Sequence, residues 1–395
     1  MLLLLSKKNG DKLYPTADKD IILKNLYIFL EHLYAQGYKF EAIDIFSGEF
    51  FNLSYWEEAL DIILNSKFTN YNSIVIPTNF SFVDKGLVDK VENYKNCFEK
   101  RGKRFVLSCS IDSDKDYITR PNINHIHSDI KSIITTIERL NAGMHPMVSP
   151  KFLEDYKSNV DFWIDVTLSL NRSPMFLEVR DDFWDTSSLK NYKDFLEYLA
   201  EQYFTKVFLE DSFKFTHAFF KNDCIDCYNC SILQFPTILQ RMSCAFHSTI
   251  YVRLSDLALI PCHRLAYPHF IYGHFVKDNG TLKFKSDNLD FHITATTFNP
   301  SSFLPKCSEC SMKAFCPKGC LGSQFETNND PFVPIESVCN LYKTKYITLN
   351  NIAKKYGLYD IYFANPSLTP NEEAWARYVI TILNELEKTE GLYCQ

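Results

Sequence analysis

The sequence predicts an α/β protein: a partial (β/α) barrel over residues 1–220, then a small, irregular, cysteine-rich domain over 221–342, then a helical tail over 343–395. Three observations predict it. Short apolar runs alternate with helical patterns through the first half, the signature of βαβ units in an open sheet or barrel. Most of the thirteen cysteines lie in the second half, where Pro, Asn and Ser accumulate and regular helical patterns vanish up to about residue 340. Helical spacing then returns around a Pro-rich break, NPSLTPNEEAW.

In chain order, 18–36 carries apolar positions at helical spacing behind an acidic start. A strand follows at Ala42–Phe46 and a helix at 54–66. The pattern repeats at Ser73–Ile76 with a helix over 84–100, and at Phe105–Cys109 with a helix over 128–141. Met144–Val148 and Met175–Val179 are two further strands, the second followed by a helix over 188–203. In such folds the chemistry sits at the C-terminal ends of the strands. Apart from this alternation there is no internal repeat and no low-complexity segment.

Bulk properties narrow the function classes. The chain is 46% hydrophobic and 23% charged, ordinary for a globular protein, and its net charge of -6 offers no basic surplus for nucleic acid. The apolar start, Met1–Leu5, is too short for a signal peptide or a membrane span, which predicts a cytoplasmic protein with no membrane partner. Thiols stay reduced there, so the cysteines call for metal rather than disulfides.

Their spacing is specific. Cys307-x2-Cys310-x5-Cys316-x3-Cys320 is followed by Cys339 and preceded by Cys244 and Cys262. Thiolates bind both zinc and iron–sulfur clusters, and a structural zinc ribbon is the plain alternative. Seven ligands are more than one zinc needs. A second group, Cys224-x2-Cys227-x2-Cys230, has the compact spacing of bacterial ferredoxins; it fits a third cluster, a zinc knuckle or reactive thiols. Cys97, Cys109 and Cys394 stand alone and read as plain apolar or surface residues.

The order of Cys244, DLALIPC ending at Cys262, C-x2-C-x5-C-x3-C and Cys339 resembles the SPASM domain of the radical S-adenosylmethionine (SAM) superfamily. CPKGC (316–320) and Gly273 fit that pattern. The family's glycine five residues before the second cysteine is Leu257 here. The resemblance implies one [4Fe-4S] cluster on Cys307, Cys310, Cys316 and Cys339, and another on Cys244, Cys262 and Cys320. The latter is one thiolate short. His247 is a candidate fourth ligand beside the alternatives of an ordinary histidine and an iron open to substrate.

The first half resembles the radical SAM core. FSGEFF (46–51) matches the glycine–glutamate loop that receives the methionyl amino group of SAM, IPTNF (76–80) the next strand end, and SCSIDSDKDYITRP (108–121) the serine–aspartate–arginine segment. MVSP (147–150) and FLEVRD (176–181) fall where later strands would end. The implied SAM contacts are Gly48, Glu49, Asn79, Ser110 and Arg120, the first two mostly through backbone groups. Read alone, each is also an ordinary turn or cap residue.

One element of the family is missing. Its C-x3-C-x2-C loop, after the first strand and before the first helix, holds the cluster that cleaves SAM; MLLLLSKKNGDKLYPTADKD contains no cysteine. Either the loop has degenerated and MLLLL is the first strand, or the loop precedes the given chain, or Cys224–Cys230 takes its place, which would need a linker motif at the opposite end of the barrel. The resemblance implies a peptide or protein maturation factor, with two auxiliary [4Fe-4S] clusters, a third if Cys224–Cys230 binds one, and SAM as an uncertain cofactor. The alternative is a non-catalytic iron–sulfur or zinc scaffold that presents a precursor peptide to a partner such as an ATP-grasp ligase.

Overall fold

The computed structural model describes residues 2–4, 18–46, 48–114, 130–220, 230–237, 249–278, 281–288, 290 and 305–390. Arg120, Cys224, Cys227, Cys244, His247 and Cys394 lie outside them. The chain divides into two compact units: residues 1–110, 127–143 and 245–298 form the first, and 111–126, 144–244 and 299–395 the second.

The first unit is built on parallel strands β1 (Leu2–Leu4), β2 (Phe40–Phe46), β3 (Tyr71–Thr78) and β4 (Arg104–Cys109). Helices α1 (Lys19–Ala35), α2 (Trp56–Asn65) and α3 (Val88–Lys100) connect them, and α4 (Ile130–Leu140) follows. All fall on the segments whose periodicity predicts them. α1 buries Ile22, Leu26, Phe29, Leu30 and Leu33, the i, i+3, i+4 stripe of an amphipathic helix.

Three two-residue strands come next in the chain: β5 (Gly143–Met144), β6 (Met147–Val148) and β7 (Leu177–Glu178). A meander then returns to the first unit as β8 (Tyr251–Arg253), β9 (Ala258–Ile260), β10 (Gly273–Asp278) and β11 (Thr281–Ser286). The sheet order is β11-β10-β9-β8-β1-β2-β3-β4, with β5 at the far edge. β1 pairs in parallel with β2 on one side and β8 on the other.

The two faces of β2–β4 differ. Ile43, Ile45, Ile74, Ile76, Phe105 and Leu107 are sealed. The opposite row, with Asp44, Val75 and Val106 in register and Phe46, Pro77 and Ser108 beyond them, is only half-buried. Parallel sheets are normally covered on both faces. A half-covered face at the C-terminal strand ends is where such folds hold a ligand. Burial raises the carboxyl pKa of Asp44 within it.

The β8–β9 turn explains the altered glycine position. Leu257 sits at φ 58°, in the left-handed region that glycine enters without cost. Leucine is held there because its side chain is 4% exposed and because Asp256 Oδ1 accepts from the Ala258 N–H at 3.2 Å. Asp256 also pairs with buried Arg253, and Asn25 Nδ2 of α1 donates to the Leu254 carbonyl at 2.8 Å.

The second unit is mainly helical. β6 and β7 pair in parallel. Around them stand α5 (Tyr156–Leu170), α6 (Thr186–Gln202), α7 (Ser212–Phe220), α8 (Pro305–Glu309), α9 (Leu321–Asn328), α10 (Glu336–Lys355), α11 (Leu358–Phe363) and α12 (Pro370–Glu390). The stretch after 305 is thus more regular than its composition predicts, with short helices between the cysteines. α10 packs on α6 and α12. Among the described residues, no helix is long and apolar enough to cross a membrane.

A buried ion pair fixes α10 to β7. The Glu178 carboxylate accepts from the Tyr192 hydroxyl at 2.9 Å and pairs with Lys345, the two side chains 6% and 11% exposed. Burial opposes ionisation of Glu178, but the Lys345 charge and hydrogen bond, then Arg180, outweigh it and hold the carboxyl below its usual range.

Two predictions follow from these contacts. Leu257→Ala keeps the left-handed backbone and loses the burial, so it should destabilise more than Leu257→Gly, by about 1 kcal/mol in urea unfolding. Lys345→Met strands the Glu178 charge and should cost about 3–5 kcal/mol. Because the folded Glu178 pKa is depressed, its stabilisation is complete above the ordinary glutamate value of about 4.3 and is lost as pH falls through the lower folded value. Wild-type unfolding free energy should show that acid-side fall, and Lys345→Met should lack it.

Candidate functional site: strand ends and a thiol-lined cavity

In the first unit, Gly48, Glu49, Asn79 and Ser110 gather at the C-terminal ends of β2, β3 and β4. Gly48 turns the chain at φ 77°, a conformation that favours glycine. The Glu49 carboxylate faces inward: Thr78 Oγ1 donates to Oε1 at 2.7 Å, and the Asn79 N–H donates to Oε2 at 2.6 Å. Thr78 Oγ1 also accepts from the Phe80 N–H at 3.0 Å, and Asn79 Oδ1 from the Ser81 N–H at 2.9 Å. The Ser110 N–H donates to the Thr78 carbonyl at 2.9 Å. Glu49 is therefore a clamp between two strand ends, with its side chain committed to protein. Any ligand contact of the Gly48–Glu49 loop falls to its backbone.

Burial pushes the Glu49 carboxyl above its usual range, against the Asn79 and Thr78 hydrogen bonds, the Phe51 N–H and the Lys85 charge.

Cys262 lies in this unit after β9, half-buried. The next residue, His263, sets its ring against Phe46 with centroids 4.3 Å apart. That contact brings the cysteine-bearing segment to the end of β2, beside the Gly48–Glu49 loop.

In the second unit, Cys307, Cys310, Cys316, Cys320 and Cys339 line one cavity of about 320 Å³. Each reaches it by a different local device. Cys307 stands on α8, and Cys310 opens a 3-10 turn at Ser311–Ala314. Cys320 sits at the N-cap of α9, and Cys339 lies in the first turn of α10. Between Cys316 and Cys320, Lys318 and Gly319 take φ 63° and 75°, a tight reversal that returns the Lys318 N–H to Cys316 Sγ at 3.5 Å. The Lys318 ammonium, on a side chain almost wholly buried, donates to the Cys316 carbonyl at 2.9 Å.

Burial pushes the Cys307 and Cys339 thiols up, and Cys316 up to about 12. Such thiols are inert as nucleophiles and ionise when a metal takes them. Among the described residues, no three His, Cys, Asp or Glu side chains converge on one ion. The thiols surround a space rather than a point. Mononuclear zinc needs its sulfurs about 2.3 Å from one atom, whereas a [4Fe-4S] cluster takes each on a different iron. The donor set and the cavity fit the cluster.

Sequence reasoning missed three groups here. Tyr342 lines the cavity with its hydroxyl buried and without a partner among the described residues. Gln324 Oε1 is likewise partnerless, and Arg180 reaches the cavity from the end of β7. Tyr342 is legible only once α10 is known, because it stands three residues after Cys339 on one helix face. Cys230 has a different setting: it is 4% exposed beside Tyr203, and burial pushes its thiol up to about 12.

No family model matches the sequence, and no curated protein matches it. Solved structures do match. Native anSMEcpe with bound AdoMet superposes with a TM-score of 0.56 at 13% identity, over 92% of this chain and 100% of that one. Native anSMEcpe with bound AdoMet and Cp18Cys peptide gives 0.53 at 13%, over 92% and 99%. The fold is theirs. The match covers nearly the full length of both chains.

The Glu49 clamp is tested by Glu49→Ala, which leaves the Asn79 N–H and Thr78 hydroxyl without their acceptor. It should cost about 1–3 kcal/mol in urea unfolding. A change within error would mean that the strand ends are held some other way.

Proposed function

We propose that this protein is a radical SAM/SPASM-type peptide or protein maturation factor whose SAM-cleaving cluster loop is degenerate or missing. The observation that carries the reading is the cavity lined by five thiols, on a chain with the fold of AdoMet-bound anSMEcpe. Cys307, Cys310, Cys316 and Cys339 would hold one [4Fe-4S] cluster, and Cys244, Cys262 and Cys320 a second. Such clusters, when bound, supply electron transfer or a site for substrate. Gly48, Glu49, Asn79, Ser110 and Arg120 are the proposed SAM contacts, with Glu49 acting through the loop it clamps. A peptide is the proposed substrate; among the similar structures, anSMEcpe carries one. The proposed setting is cytoplasmic, and the proposed functional division is 1–220, 221–342 and 343–395.

A second reading draws support from one observation. Residues 5–17 connect β1 to α1, the position of the cluster loop in the family resembled, and contain no cysteine. The same fold without that loop would serve as an iron–sulfur scaffold that holds a precursor peptide for a partner enzyme such as an ATP-grasp ligase.

Iron, sulfide and zinc per chain, measured after anaerobic purification and reconstitution, separate these readings when 5′-deoxyadenosine formation from SAM is followed on the same sample. About eight irons with no 5′-deoxyadenosine would mean two auxiliary clusters on a chain that cleaves no SAM, and would favour the scaffold over a maturase that acts on SAM. About twelve irons with 5′-deoxyadenosine formed would place an active cluster on Cys224–Cys230. Zinc without iron would overturn the iron–sulfur account.

A further inference from the structure

We infer that Tyr342 donates a hydrogen bond to a sulfur atom of the group held in the thiol-lined cavity, and so raises that group's reduction potential. The inference rests on the iron–sulfur reading above. It concerns a side chain that is not a ligand.

Three observations carry it. Tyr342 lines the same cavity as the five thiols. It is 2% exposed, yet its hydroxyl has no hydrogen-bond partner among the described residues. A buried hydroxyl left unpaired costs about 1–3 kcal/mol, so buried tyrosines normally find an acceptor. Finally, Arg180, Glu178, Cys316 and Cys320 are the charged and ionisable groups that act on it electrostatically, two of them thiols of the same cavity. Glu178 does not serve as its acceptor: the donors to that carboxylate are Tyr192 and Lys345, and the Tyr342 hydroxyl bonds to neither of its oxygens.

The chemistry of the occupant then matters. A phenol hydroxyl gives one proton to an acceptor, and a bare zinc ion offers none beyond its thiolates. A [4Fe-4S] cluster adds bridging sulfides to the cysteine sulfurs, and its potential responds to hydrogen bonds on those atoms. Reduction adds negative charge to the sulfurs, so a donor aimed at them favours the reduced state. The position is also rigid. Tyr342 is on α10 one turn beyond Cys339, and its ring stacks with that of Tyr346 at 6.4 Å between centroids. Lys345 anchors the same helix to β7.

Tyr342→Phe removes only the hydroxyl, and two measurements on the full chain test it. For the metal-free protein, urea unfolding of Tyr342→Phe should show no loss of stability, because the deleted group has no protein partner. For the anaerobically reconstituted protein, redox titration followed by electron paramagnetic resonance should show a cluster harder to reduce, by about tenfold in the one-electron equilibrium, or 59 mV. Iron and sulfide content should match wild type. An unchanged potential in an iron-loaded variant would overturn the role of Tyr342 and leave the cluster reading standing. Loss of stability in the metal-free variant would overturn it too, by exposing a protein partner for the hydroxyl. Wild-type protein that holds zinc and no iron would sink both.

Discussion

Three residues hold the sheet of the first unit together. Leu2–Leu4 pairs with β2 on one side and with β8 on the other, both in parallel. The strands before it in the sheet order come from residues 251–286, and those after it from residues 40–109 and 143–144. Without β1 the meander that carries Cys262 would have no parallel partner, and the clamp at Glu49 would stand at a sheet edge. Each flanking pairing covers only three residues in register, so side-chain and loop contacts must share the task. The Phe46–His263 ring contact and the Asn25–Leu254 hydrogen bond span the same join.

Glu49 and Glu178 show how environment decides the sign of an electrostatic effect. Burial wins at Glu49, which accepts from neutral donors and feels the Lys85 charge only as the last of the influences on it, so its carboxyl is held above the usual range. Glu178 is more deeply buried, but a lysine meets it directly, and its ionised form is favoured. Raising the pH therefore works against the first and for the second. One sits at a loop of the first unit, the other under a helix of the second.

Much of the first unit is legible in the sequence because its signals are periodic. β2, β3, β4 and α1–α4 fall on their predicted segments, since alternation and i, i+4 stripes follow directly from which side faces the core. α5 is not legible: YKSNVDFWIDVTLSL is rich in β-branched, aromatic and Asn, Ser, Asp residues that favour helix weakly, and it is helical because Trp163, Ile164 and Val160 are buried. α9, in LGSQFETN, is missed for the same reason. The thiols are legible from spacing, because ligands of one site must sit close in the chain. Their companions are not. Arg180 is far from Cys316 in sequence, and Tyr342 looks like any aromatic on a helix until its hydroxyl proves to lack a partner. Leu257 is the reverse case, where a departure from a familiar pattern marks a left-handed residue that sequence alone gives no reason to expect.

Lys318 combines two costs that a neutral, small residue would avoid: a left-handed backbone, about 1–2 kcal/mol for a side chain with Cβ, and a buried ammonium. Burial lowers its pKa, and the thiols of Cys316, Cys307 and Cys310 push back. A cation is thus already seated in the wall while the thiols are neutral. An anionic group entering the finished pocket meets its counter-charge in place, with no ion to be drawn from solvent and no long side chain to be reordered.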